Sequence, residues 1–152
     1  HLNSTEPTIR EAKLSDVQDI ADLTIAALNK DTPLSYSRAK VEALTRVIVG
    51  SDQHYSRVID VYGKAVGGVG LFVQEDTFHT GKHAAMVHCS CPPQYAGMGA
   101  RVIRDAIKWC NARPDIKIIS FSLDYDFDPR YVKLLNRLGL ALVHPTCVQM
   151  RS

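Results

Sequence analysis

The sequence predicts an α/β or α+β domain built on a mixed sheet, and three observations carry that prediction. Strand-like and helix-like segments alternate along the 152 residues, with no repeat and no low-complexity linker. At 45% hydrophobic and 22% charged, the composition is that of one domain long enough to close a core. The segments run βαα, then βββ, then αβαβ, an order that sets helices against a mixed sheet.

Taken in order, residues 1–6 of "HLNSTEP" read as a tag remnant or frayed end, and 7–152 as a single domain. "TIREA" at residues 8–12 reads as a short strand. Ser15 then opens a helix, with Gln18 completing a capping box and Val17, Ile20, Leu23, Ile25 and Leu28 forming its apolar stripe. After the "DTPLSYS" loop a second helix is expected over residues 38–49, with Gly50 as its C-terminal cap. Two β-rich runs around Gly63 and Lys64 predict a hairpin with strands near 57–61 and 66–74. No helix follows Gly67, Gly68 and Gly70, so they read as a glycine-rich strand or bulge rather than a phosphate loop.

"AAMVHCSC" (84–91) reads as the next strand, stopped by Pro92 and Pro93. An amphipathic helix is expected over 98–110, with Val102, Ile103, Ala106, Ile107 and Cys110 on its apolar face. A strand near 117–123, a helix near 129–138 stopped by Gly139 and a final β segment through "LVHPTCVQM" complete the chain.

The formal charge of +2, from 18 basic and 16 acidic side chains scattered along the chain, gives no footprint for nucleic acid or an anionic membrane. There is no apolar run near the roughly 18 to 20 residues of a membrane span and no leader, so a cytoplasmic protein is expected. Cys89, Cys91, Cys110 and Cys147 are too few and too irregular for a disulfide framework, and CxxC is absent. In "HCSC", Cys89 and Cys91 share a strand face while His88 points the other way, so no metal site is expected and the thiols read as part of the core.

"CPPQYAGMGARVI" raises the functional question. Gly97 and Gly99 lie where a strand hands over to a helix, whose leading N–H groups lack intrahelical partners and whose end carries partial positive charge. Such a bend suits a phosphate or pyrophosphate, although an ordinary tight turn has the same composition. It is neither a P-loop nor a GxGxxG fingerprint, since Val102 occupies the third glycine position.

"QYAGMG" matches [Q/R]xxGx[G/A], and the chain here resembles the GNAT superfamily of N-acetyltransferases. "DPRYVKLLNRLGL" from Asp128 is similar to that family's "NPxAxxLYEKLGF" helix, and the order of elements agrees over residues 7–150. The resemblance implies a mostly antiparallel central sheet, splayed between strands 4 and 5 and flanked by about four helices. It implies direct transfer of an acetyl group from acetyl-CoA to a primary amine of a small molecule or protein, with no metal. The backbone of Cys89, Ser90 and Cys91 would pair with the pantetheine arm. Gln94, Tyr95, Ala96, Gly97, Met98 and Gly99 would cradle the pyrophosphate, with Ala100 at the helix start.

Two positions depart from the family pattern. The family's general acid, a tyrosine, aligns with Leu135; Tyr131, one turn earlier on the same face, is the substitute candidate, with Tyr95 and Tyr125 as further ones. The asparagine before that helix aligns with Asp128; the resemblance implies that Asp128, like Leu135, is a cofactor-binding position, and Asp128 also reads as an N-cap. The glutamate many members carry on strand 4 is missing; of the imidazoles there, His83 and His88, the latter is the candidate base, with an ordinary pKa of about 6.5. Asp124, Asp126 and Asp128 are an alternative acidic cluster. Acceptor specificity would sit in the first two helices and the loop at 28–37, which contains Lys30, Asp31 and Tyr36. A homodimer through the last strands, a longer acyl donor and a non-catalytic CoA- or protein-binding module are the alternatives the sequence leaves open.

Overall fold

The computed structural model describes residues 6–28, 34–123, 128–143, 147 and 149–151. Five strands, β1 (Thr8–Glu11), β2 (Tyr55–Val61), β3 (Lys64–Glu75), β4 (Lys82–Ser90) and β5 (Ile116–Ser120), lie side by side in chain order. The first four run antiparallel and β5 joins β4 in parallel, giving a mixed sheet. Four helices accompany it: α1 (Val17–Leu28), α2 (Arg38–Val49), α3 (Ala96–Asn111) and α4 (Pro129–Arg137).

Each element follows from local chemistry. The β2–β3 hairpin closes through Tyr62 and Gly63, both at positive φ (56° and 81°), the combination whose twist matches the flanking strands. Helix α2 has the expected bounds: the Ser37 hydroxyl accepts from the Lys40 N–H and Gly50 follows the last turn. Helix α3 buries all five expected positions against Tyr55, Ile59, Val69 and Leu71, each such side chain contributing about 1.5–3 kcal/mol. Leu135 of α4 joins the same core. On the opposite face Ile20 of α1 packs with Val58 and Ala65, so α1 and α2 cover one side of the sheet and α3 and α4 the other.

Several expectations need correction. The capping box at the α1 entry is made by Asp16, whose carboxylate accepts the Lys13 N–H at 2.7 Å, not by Ser15 and Gln18. Arg10 turns that carboxylate inward through bonds of 2.7 and 2.9 Å while also holding Asp60, and this holds Asp16 below the usual carboxylate range. Gln18 instead reaches across to Glu42 and Arg38 of α2. Along α1, Ala21 and Thr24 take core positions, Leu23 and Ile25 are half-buried and Leu28 is exposed, because the buried stripe follows 17, 20, 21 and 24.

Helix α3 starts at Ala96 rather than Met98, since a short 3₁₀ turn, Pro93–Tyr95, feeds straight into it. β5 ends at Ser120, three residues early. Of the expected final strand, residues 142–143, 147 and 149–150 carry no regular structure, and the rest lies outside the described residues.

Candidate functional site

The site is built where the sheet opens. β4 and β5 pair from Lys82 with Ile116 to Ala85 with Ser120, and from Met86 onward no strand among the described residues pairs with β4 on that side. This is the expected splay. Across β4, Leu71 of β3 is opposite Met86 and Gly70 is opposite His88, so Val87 is an extra, bulged residue. A one-residue insertion reverses the faces that follow it. Met86 and Cys89 therefore face α3 and α4, whereas Val87 and His88 both turn toward α1 and α2. The His88 ring lies against Gly70, where a Cβ would sit 2.6 Å from its Cδ2; only glycine admits the ring there.

At the end of β4 the chain enters α3 through Pro92 and Pro93. The Tyr95 N–H donates to the Pro92 carbonyl at 2.9 Å and the Ala96 N–H to that of Pro93. Tyr95 occupies the N-cap and its side chain makes no cap, so the N–H groups of Gly97 and Met98 lead the helix uncapped. The glycines divide the work. A Cβ on Gly97 would meet nothing within 4 Å, whereas one on Gly99 would lie 2.9 Å from Cβ and Sγ of Cys91.

Gly97 thus faces open space, and Gly99 is where the helix closes on the strand. The Cys91 thiol reinforces that junction by donating to the Tyr95 carbonyl at 3.0 Å. Burial raises the Cys91 pKa, opposed by a bond from the Gly99 N–H. Gln94 is exposed, Ala100 is half-buried, and no acidic residue lies in the first turn of α3.

Tyr131 and Cys89 come together at the open edge. The Tyr131 hydroxyl donates to Sδ of Met86 at 3.6 Å and is hydrogen-bonded to the Cys89 thiol, which burial pushes up to about 11. Leu135, one turn along, is buried in the core. Asp128 caps α4, accepting the Arg130 N–H at 2.9 Å and pairing with its guanidinium at 2.8 Å, which lowers its pKa. Lys30, Asp31, Asp124, Tyr125 and Asp126 lie outside the described residues.

The two strand histidines have separate environments. His83 Nε2 is 2.7 Å from the Ser120 hydroxyl of β5, and its Nδ1 is 3.6 Å from Asp76. His88 is 7% exposed, and neither ring nitrogen has a hydrogen-bond partner. Burial pushes its pKa down to about 4, so the ordinary value expected for it does not hold. It walls a cavity of about 210 Å³ between α1, α2 and β4.

The contributions of Val41, Leu44 and Thr45 to that cavity escape a motif search, because they come from α2 while the motifs lie on β4 and α3. The glycine run of β3 does signal a bulge: β3 carries one at Val66, between Ala65 opposite Asp60 and Gly67 opposite Ile59, and β4 carries another at Val87. Among the described residues no cluster of three or more His, Cys, Asp or Glu is arranged to hold a metal, and no helix is long and apolar enough to cross a membrane.

The described residues thus form an antiparallel sheet with one parallel edge strand, opened beside an uncapped helix start. Solved structures of other proteins share the fold. A predicted acetyltransferase with acetyl-CoA from Clostridium acetobutylicum superposes with a TM-score of 0.75 at 10% identity, covering 95% of this chain and 96% of that one. Glucosamine-6-phosphate N-acetyltransferase from Arabidopsis thaliana gives 0.64 at 15% identity, covering 97% of both chains. An aminoglycoside acetyltransferase from an uncultured soil metagenomic sample, in complex with sisomicin, gives 0.63 at 13% identity, covering 96% of this chain and 95% of that one. No family model and no curated protein sequence matches the chain. The fold is that of the GNAT acetyltransferases.

Proposed function

We propose that the chain is an acetyl-CoA-dependent N-acetyltransferase whose acceptor is a primary amine. The observation that carries this reading is the uncapped start of α3, facing open space directly beside the unpaired edge of β4. These features fit the two halves of the cofactor. The Gly97 and Met98 amides, in the loop from Gln94 to Ala100, suit a pyrophosphate at a helix N-terminus, where the dipole also favours an anion. The edge at Cys89, Ser90 and Cys91 suits an extended arm that carries amides of its own. Bound there, acetyl-CoA supplies an acetyl group activated as a thioester.

The chain's own residues then have definable tasks. The β4 edge offers backbone N–H donors where negative charge develops on a carbonyl oxygen. Tyr131 holds a proton at Oη beside Met86 and Cys89, placed to donate to a departing thiolate. His88, kept neutral by burial, walls the side of the amine's approach on the other face of β4. Its low basicity suits lying beside a neutral amine better than storing its proton.

A small-molecule acceptor is supported by neighbours whose names specify glucosamine-6-phosphate and aminoglycosides. One observation favours a second reading, a module that binds CoA without turnover: Leu135, which stands where the family places its acid, is wholly committed to the core.

Calorimetry with acetyl-CoA, on the parent and on Gly97→Glu, tests the reading. Binding by the parent that is lost in a folded variant is expected, and amine-dependent thiol release then separates enzyme from module. A parent that does not bind acetyl-CoA removes both readings.

A further inference from the structure

The cavity between α1, α2 and β4 has a composition that specifies its occupant. It reaches β4 at Val87 and His88, inside the stretch that β5 leaves unpaired, so it backs directly onto the proposed thioester edge. Leu28, Val41, Leu44 and Ile48 form most of its remaining wall, and no carboxylate lines it among the described residues. The hydroxyls of Thr24 and Thr45 are spent on their own helices, donating to the Ile20 carbonyl at 2.8 Å and the Val41 carbonyl at 2.7 Å.

Ser56 of β2 adds a hydroxyl to the wall, and the fully buried polar side chain without a partner there is the His88 ring. Both of its nitrogens are buried without a partner, an unfavourable state for a polar group. Leu28 and Leu44, 43% and 37% exposed, stand at the rim and open the cavity to solvent.

We infer that this cavity is the acceptor site and that it selects a primary amine carried on an apolar body, a single ring or short branched chain, with the His88 ring forming part of its wall. The inference rests on the transferase reading for its word "acceptor" and on the cavity for its selectivity. Size sets the limit on the body: an apolar cavity of about 150 Å³ takes one benzene-sized ring, and the 210 Å³ here leaves room for little beyond a ring and its aminoalkyl arm. Charge sets the limit on the amine. A polycation entering this wall would lose water at every ammonium and meet no counter-charge among the described residues, whereas a monoamine can shed one proton outside and enter neutral. The neutral form is also the nucleophile, so the same apolar wall that chooses the substrate prepares it for attack. One ammonium proton is released to bulk water before entry, and the second, lost from nitrogen as the C–N bond forms and the C–S bond breaks, balances the proton that Tyr131 gives to the departing thiolate, so no strongly basic side chain is required.

The test uses ¹⁵N-histidine-labelled protein without acetyl-CoA, titrated with phenethylamine and with spermidine and followed through the His88 ring nitrogens. Phenethylamine is expected to move those signals saturably, with an affinity that rises with pH toward the amine's own pKa, while spermidine leaves them in place. Leu44→Trp and, independently, Leu28→Trp fill the rim at half-exposed positions that tolerate bulk; each is expected to weaken phenethylamine at least about tenfold while leaving acetyl-CoA affinity within about twofold. Equal or tighter binding of spermidine, unmoved His88 signals, or rim variants without effect would overturn the inference. Because these readouts need no cofactor, phenethylamine binding in a protein that fails to bind acetyl-CoA would fault the transferase reading alone. The reverse pattern would fault the pocket alone.

Discussion

Two helices begin beside the opened edge of the sheet, and they begin differently. α4 is complete in itself: Pro129 takes the first position, Asp128 accepts the Arg130 N–H, and the Arg130 guanidinium folds back on the same carboxylate. α3 is incomplete: Tyr95 offers no cap, no acid lies in its first turn, and Gly97 keeps the space before its amides open. An uncapped helix start forgoes about 1 kcal/mol of local stabilisation. In the proposed reading the uncovered amides of α3 are left to a ligand instead, and the contrast separates a helix start that is architecture from one proposed as a site.

The largest effect should come from supplying α3 with the charge it lacks. Gly97→Glu places a carboxylate in the open space before the Gly97 and Met98 amides, where it is expected to weaken acetyl-CoA binding by at least about 100-fold, about 2.7 kcal/mol. It should do so without loss of thermal stability, because an acid in the first turn complements the dipole. Calorimetry beside a melting curve checks both halves. Unaltered affinity would mean that α3 is merely frayed and the comparison with α4 empty.

Next in size is a contrast within α3 itself. Gly99→Ala drives a methyl to within 2.9 Å of Cβ and Sγ of Cys91, an overpacking expected to cost about 1–3 kcal/mol, or about 2–4 °C of Tm for each kcal/mol. Gly97→Ala meets nothing and should be neutral or stabilising by about 0.4–1 kcal/mol through the unfolded chain. One substitution, two residues apart, should therefore give opposite signs in a denaturant melt. Equal effects would show that the two glycines are not divided between ligand and packing.

This division marks how far the sequence could be read. The glycine pair, its place after β4 and the apolar face of α3 from Val102 to Cys110 were all legible, because spacing along one helix is a local property. The bounds of α2 and the hairpin at Gly63 were legible for the same reason. Which glycine faces space and which faces Cys91 was not, because that depends on how β4 meets α3. The bulge at Val87 escaped similarly, since it is a matter of register between β3 and β4; His88 faces away from Cys89 as alternation predicts, but only the bulge puts Met86 on the Cys89 face. The cavity joins residues of α1, α2, β2 and β4, with no motif linking them. Asp16 displaced the expected cap because Arg10 and Asp60, far apart in sequence, meet around it.

A smaller effect follows from removing the cap that α4 has. Asp128→Ala is expected to lower stability by about 1 kcal/mol in urea denaturation and to leave acetyl-CoA affinity within about twofold. A large loss of affinity would move Asp128 from the architecture of α4 into the cofactor site, where the family resemblance had placed it.

The smallest and most local difference should be visible in mild acid. The Asp128 pKa is lowered from its ordinary 3.8, chiefly by its side-chain bond with Arg130 and then by the Arg130 N–H. The sign follows from linkage: the folded state holds the deprotonated form more tightly, so the cap's contribution is fully present above the unfolded pKa and is lost as pH falls through the lower, folded one. Backbone NMR shifts of Arg130 and Tyr131 should therefore titrate together with a midpoint below 3.8, while those of Gly97 and Met98, which have no carboxylate cap, should stay flat while the protein remains folded. Asp128→Asn keeps a capping oxygen that cannot ionise, and it should abolish the titration without fraying the turn. If the start of α3 titrated with the same midpoint, a carboxylate would have to be reaching its amides, and the helix left open for a ligand would prove to be capped after all.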